Sequence, residues 1–228
     1  MRNNAFPLTR GYQAIRDAGV KLKMKIQEVK DAITTGLGTY FEEHGFRLRK
    51  ADFEYVKKIE NDYWIFRLGI SKWTGWFSLN PSVFFGCPRV NKIFNLALGR
   101  SITVSGSTWG FGIRNEFDHQ RGNYQVEDED SLAEAVESLR KDFDEVALPW
   151  FDKVNSLESL AEKMNCRREG KFAADSVDWA CLGLIAAKLA NNPSYEEIFS
   201  DYKTSLFETE DAELAEPILV VKTYLDAL

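Results

Sequence analysis

The chain has 228 residues, of which 44% are hydrophobic, and it carries a formal net charge of -6. These apolar side chains suffice for a full core, which excludes wholesale disorder. The negative net charge argues against nucleic acid and anionic membrane as partners, because both are themselves negatively charged.

The cysteines indicate a reducing compartment. Cys87, Cys166 and Cys181 are odd in number and widely spaced, without a CxxC pair. This pattern favours free thiols over disulfides or structural zinc. No apolar run approaches the roughly 20 residues that span a bilayer, and the first residues lack the apolar segment of a secretory signal. We therefore expect a cytoplasmic protein with no membrane partner, no metal and no cofactor.

The chain begins with a polar, weakly periodic stretch that predicts an N-terminal arm over residues 1–24, either mobile or forming a short helix. Apolar residues then recur every three or four positions from Ile26 to Phe41, which predicts a helix with one buried face. Gly45 is a natural C-cap. We expect His44, before it, to interact with the helix dipole rather than to act as a ligand or base.

Residues 46–88 predict an antiparallel β-meander, around which the fold is organised. Aromatic and β-branched residues alternate between Tyr63 and Ile70, a pattern typical of a half-buried strand. A hairpin turn is predicted at residues 60–62. Because Pro81 lies inside the next apolar run, that run is predicted to be an edge strand, a bulged strand or two short strands.

The remaining chain predicts a short helix after Pro88, closed by Gly99, and further strands at residues 102–104, 109–117 and 123–126. An acidic helix start at residues 127–131 opens a helical region. That region is interrupted by a break at residues 148–151 and a basic loop at residues 166–171, and three more helices follow the loop.

The predicted fold class is α+β, with an antiparallel sheet of about five to seven strands and helices packed mainly on one face. We divide the chain into an arm, a helix with the sheet, and a helical part packed on the sheet: residues 1–24, 25–127 and 128–228.

Three segments together resemble a family of proteins. They are HisGlyPheArgLeuArgLys at 44–50, LeuProTrpPheAspLys at 148–153 and SerLeuGluSerLeu at 156–160, combined with the aromatic meander. This arrangement is similar to a functionally uncharacterised bacterial domain-of-unknown-function family, over residues 25–165. The resemblance implies an α+β fold and a bacterial origin, and it implies no catalytic residues. Some small, acidic proteins of this kind serve as antitoxin-like or immunity partners, which suggests such a role by analogy alone.

The most polar cluster, residues 114–121, offers an enzymatic alternative. Glu116 or Asp118 with His119 could serve as acid and base, as in a hydrolase. Because no nucleophile, metal set or oxyanion donor accompanies them, we instead expect a solvated strand end with weak surface ion pairs.

The abundance of aromatic residues favours protein binding as the function. We expect most of these side chains to fill the core. Trp73 and Trp76, on either side of Thr74 and Gly75, are the pair expected at a rim, with Arg114 as a further binding residue. We therefore predict that the protein is non-catalytic and that its function is to bind another protein.

Overall fold

The computed structural model describes residues 24–101, 106–113, 122–168, 171–172, 176–207 and 216–228. The strands are β1 (Arg47–Arg49), β2 (Glu54–Ile59), β3 (Asp62–Trp73), β4 (Trp76–Gly86), β5 (Trp109–Gly112), β6 (Tyr124–Val126), β7 (Arg167–Arg168) and β8 (Lys171–Phe172). The helices are α1 (Ile26–Glu43), α2 (Pro88–Ala97), α3 (Glu129–Asp142), α4 (Leu148–Lys153), α5 (Leu157–Met164), α6 (Val177–Leu189), α7 (Tyr195–Phe207) and α8 (Glu216–Asp226). The arm up to residue 23 and the strand predicted at 102–104 lie outside the described residues.

The main sheet is antiparallel throughout. Strands β1 to β5 pair in chain order, and β6 pairs with β4 beside β5. The predicted α+β class, the antiparallel sheet of five to seven strands and the C-terminal helical part are confirmed. The segment at 166–171, predicted as a loop, instead contains the short β7–β8 ribbon.

Pro81 lies inside one continuous strand, so the prediction of an edge, a bulge or two short strands is wrong. Strand β4 pairs with β3 along its whole length. On its other side, β6 covers residues 77–79 and β5 covers residues 82–85. Phe85 turns its carbonyl to that side, where it accepts from Thr108 N at 2.8 Å. By backbone alternation the nitrogen of Pro81 points the same way, into the gap between β5 and β6, where no N–H is needed.

Side chains alternate between two faces of the sheet, which we call inner and outer. The inner face carries Phe66, Leu68, Phe77 and Val83, which form the first core with α1, α3 and the segment after α3. The residues that alternate with them in sequence, such as Ile65, Arg67 and Phe84, lie on the outer face. Among the described residues, neither hydrophobic core takes a strand side chain from the outer face.

Helix α1 packs on the inner face through Val29, Ile33, Leu37 and Phe41, all buried. The helix ends as predicted at Gly45, whose φ of 82° lies in the left-handed region. Its N–H donates to Glu42 O at 2.9 Å, and the chain then turns into β1.

The segment after α3 is a π-helical turn, Phe143–Ala147, which continues directly into α4. The break predicted at residues 148–151 is therefore not found there, because those residues are helical and the irregular turn lies just before them. Phe143 is fully buried and meets Phe41 edge to face, with ring centroids 4.7 Å apart. The π turn therefore supplies an aromatic anchor to the first core.

The second core joins α2 with α5, α6, α7 and α8. A buried polar network ties three of these helices together. Tyr202 on α7 donates to Asn165 Oδ1 at 2.7 Å, and Asn165 donates to Gly183 O on α6 at 3.0 Å. Every polar atom in this network has a partner, which is the condition for burying it at low cost. In the part of the chain that the structure describes, no helix is both long enough and apolar enough to cross a membrane.

Candidate functional site

The β3–β4 hairpin ends in a tight turn flanked by two tryptophans. Trp73 and Trp76 pair directly across the strands, and Thr74 and Gly75 connect them. Gly75 has a φ of 89° at the second central position, where a positive φ favours glycine. The turn therefore places the two indoles side by side, at the final residue pair of β3 and β4.

The two indole rings form a stack, which we call the tryptophan pair. Their centroids are 5.6 Å apart and their planes differ by 13°. Stacking covers only one side of each ring. Trp73 keeps 50% of its surface exposed, whereas Trp76 is half-buried. Residues 71–74 are all exposed, so the hairpin tip presents an aromatic surface to solvent.

Beside the tryptophan pair, the outer face is polar and internally ordered. Ser78 donates to Asn123 Oδ1 at 2.7 Å, and Asn80 donates to Ser78 Oγ at 2.9 Å. Ser71 and Ser78 lie on the same face as the tryptophan pair. Lys72 pairs with Phe77 and therefore points to the inner face. Gln125, opposite Ser78, donates its amide to Glu127, so the described rim on the indoles' own face carries one acid among neutral polar groups. Lys72 contributes its charge from the other side of the strand.

A charged cluster lies farther along the outer face. Glu54 is fully buried and accepts hydrogen bonds from Arg49 Nε at 3.1 Å and Arg67 Nε at 2.5 Å. The Arg67 guanidinium also lies 4.6 Å from the Phe84 ring centroid. The sequence patterns did not single out this cluster, because it forms only when β2 pairs with β1 and β3. Arg49 is half-buried within it, whereas Arg47, two residues earlier on β1, is exposed.

The predicted catalytic candidates Glu116, Asp118 and His119 lie outside the described residues, as does the predicted binding residue Arg114. His44 is described, and its Nδ1 lies 3.0 Å from Tyr40 O. That contact and its packing on Phe143, with ring centroids 5.5 Å apart, give His44 a structural role at the end of α1.

Two of the three free thiols are poor nucleophiles. Burial raises the pKa of Cys87 to about 11 and that of Cys181 to about 12. Cys166 is exposed. Within the described ranges no group of three or more His, Cys, Asp and Glu side chains is placed to hold a metal ion.

In contrast to the tryptophan pair, Trp64 and Trp109 lie on the inner face and act as packing residues. Trp64 stacks on Phe151 with centroids 5.2 Å apart and donates its indole N–H to Val154 O at 3.0 Å. Trp109 packs against Trp150, with centroids 5.5 Å apart. Trp73 differs from these because half of its surface remains accessible.

Comparisons with protein-family models, with curated proteins and with solved structures gave no match.

Proposed function

We propose that this protein is a non-catalytic binding protein that recognises another protein through the tryptophan pair. The observation that carries the proposal is the half-exposed indole of Trp73 at a hairpin tip whose other exposed residues, Ser71, Lys72 and Thr74, are polar. Tryptophan is the residue type most enriched among binding hot spots, because it buries a large rigid surface at low entropic cost.

Hairpin stability alone accounts for only part of this arrangement. A cross-strand aromatic pair contributes roughly 0.5–1.5 kcal/mol, and the stacked sides of Trp73 and Trp76 provide that contribution. In the part of the chain that the structure describes, Trp73 belongs to neither core. Hydration of its outward side costs free energy that a partner's apolar surface would recover.

The polar neighbours suit the rim of a protein interface. The Asn80–Ser78–Asn123 chain is already hydrogen-bonded, so little side-chain entropy remains to be lost on binding. Ser71 and Gln125 are exposed beside it and can donate and accept. An aromatic centre with a polar rim is the usual anatomy of such a contact.

The alternative function, a hydrolase using Asp118 and His119, rests on the sequence alone, because both residues lie outside the described ranges.

A pull-down with matched variants tests the proposal. Trp73→Ala removes the exposed indole, and Leu96→Ala removes an exposed apolar side chain, 42% accessible, from a different surface on α2. We expect a partner that wild type and Leu96→Ala both retain and Trp73→Ala loses, with circular dichroism unchanged. His119→Ala should retain the partner as well. Equal retention by Trp73→Ala and wild type would contradict the proposal.

A further inference from the structure

A cavity of about 690 Å³ lies between α1 and α3, and Leu132 of the first core forms part of its floor. We call it the helix groove. Its walls are largely small and apolar, and they are formed by Met24, Ala32, Gly36, Leu132, Ala133 and Val136. Ala133 and Gly36 are exposed and Ala32 is half-buried, so the apolar wall reaches solvent.

The two helices approach each other closely beside the groove, at Gly36 and Val136. A Cβ atom on Gly36 would lie 2.8 Å from Val136 Cγ1, so glycine permits the contact. The helices run in the same direction, since Tyr40, one turn beyond Gly36, bonds to Asp144, beyond Val136. Toward their N-terminal ends the groove opens between them, where Glu28 and Glu129 lie.

The charges that line the groove are of one sign. Glu28, Asp31 and Glu129 are exposed on its edges, and no lysine or arginine is among the lining residues described. Glu28 caps α1 by accepting from Lys25 N at 2.6 Å, and Asp31 accepts from Gln27 Nε2 at 2.8 Å. Neither contact neutralises a carboxylate, so the edges keep a negative potential over an apolar floor.

We propose that the helix groove binds a basic amphipathic helix of a partner protein. Small residues in the floor let a third helix approach closely. Apolar side chains spaced i, i+3, i+4, i+7 would enter the groove, as in other helix-in-groove complexes. Lysines or arginines flanking that stripe would face Glu28, Asp31 and Glu129, which selects a cationic helix over an acidic one. The helix groove is separate from the tryptophan pair, so a loss of binding at one surface leaves binding at the other unaffected.

Fluorescence anisotropy with synthetic peptides tests this proposal on the full chain. The probe is a labelled peptide of about 18 residues, with leucine at the i, i+3, i+4, i+7 positions and lysine elsewhere. Two further probes are a scrambled peptide of the same composition and a peptide with glutamate in place of lysine. We expect only the patterned leucine–lysine peptide to bind, more weakly as salt rises.

Matched variants locate the binding. Ala133→Phe places a ring in the groove from an exposed position, and Glu134→Phe places the same ring at the next, also exposed, position, which does not line it. Ala133→Phe should weaken binding at least about tenfold, whereas Glu134→Phe should leave it within about twofold. Unfolding midpoints of both variants show whether the fold persists.

Four outcomes would overturn the proposal. They are no binding of the patterned peptide up to about 1 mM, equal binding of the scrambled peptide, equal binding of the acidic peptide, and binding that Ala133→Phe leaves unchanged. Uptake of a small apolar dye without peptide binding would likewise show a ligand pocket rather than a helix site.

Discussion

Arg67 and Glu54 lie directly opposite each other on β3 and β2, and the Arg67 Nε donates to the Glu54 carboxylate at 2.5 Å. Arg49 binds the other carboxylate oxygen from β1. One buried acid thus joins three adjacent strands at the outer face. Its side chain is only 1% exposed, while those of the two arginines are 32% and 37% exposed.

Removing the charge of Glu54 should destabilise the sheet. We expect Glu54→Gln to lower the free energy of unfolding by about 2–3 kcal/mol. This is no more than the smallest loss usual for breaking a buried ion pair, because the two arginines stay partly solvated. The control is Glu197→Gln, which breaks the exposed contact with Arg167 and should cost less than about 1 kcal/mol. Urea denaturation measures both. Equal losses would show that the Glu54 cluster contributes no more than a surface pair.

Two glycines of the same segment should respond to alanine in opposite directions. Gly45→Ala should cost about 1 kcal/mol, because a φ of 82° strains any residue with a Cβ. Gly38 lies inside α1, where an added Cβ meets only Thr34 Cγ2 at 3.9 Å, so Gly38→Ala should stabilise the protein by about 0.5–1 kcal/mol. Thermal unfolding of the two variants tests this. An unchanged midpoint for Gly45→Ala would contradict the assignment of Gly45 as the helix terminator.

The contact between Gly36 and Val136 should appear as an energetic coupling. Gly36→Ala should cost about 1 kcal/mol in spite of its gain in helix propensity, because Val136 is β-branched and cannot easily move from the new Cβ. Val136→Ala should relieve the clash, so the double variant should be more stable than the sum of the single changes. A double-mutant cycle by urea unfolding measures the coupling. Additive effects would mean that the helices separate freely at this level.

Burial should divide the three thiols by reactivity. In a brief iodoacetamide pulse on the native protein, followed by mass spectrometry, Cys166 should be alkylated and Cys87 and Cys181 protected. In urea all three should react. Adducts on Cys87 or Cys181 in the native protein would contradict their burial.

The raised thiol pKa values also predict the sign of a pH effect on stability. Between the ordinary thiol pKa of 9.0 and the folded value of about 11 for Cys87, the unfolded chain loses the proton and the folded chain keeps it. The free energy of unfolding should therefore fall as pH rises through this range, and remain unaffected by this thiol below it. Cys87→Ala should remove part of that slope in urea titrations.

Much of the fold follows from periodicity in the sequence. The helix from Ile26, its end at Gly45 and the alternation in β3 are local patterns, and the structure confirms them. Pro81 was misjudged because its tolerance depends on where β5 and β6 end on the neighbouring edge. That information is not local to β4.

The Glu54 cluster lies between these two cases. Ile59 pairs with Asp62 across a two-residue turn, which places Glu54 opposite Arg67 by counting outward. The composition of residues 60–62 predicts the turn, and the pairing of Glu54 with Arg67 depends on the exact register of that turn. The sequence predicts the rim position of Trp73, because Thr74 and Gly75 between two tryptophans indicate a turn. Its role in binding stays a prediction.

The central claim is that Trp73 contacts a protein partner, and isothermal titration with the partner recovered by pull-down tests it most directly. Wild type, Trp73→Ala and Leu96→Ala are titrated under the same conditions, after their unfolding midpoints have been compared. We predict that Trp73→Ala raises Kd by about 30-fold, which corresponds to about 2 kcal/mol, and that Leu96→Ala leaves Kd unchanged. An unchanged Kd for folded Trp73→Ala would contradict the account.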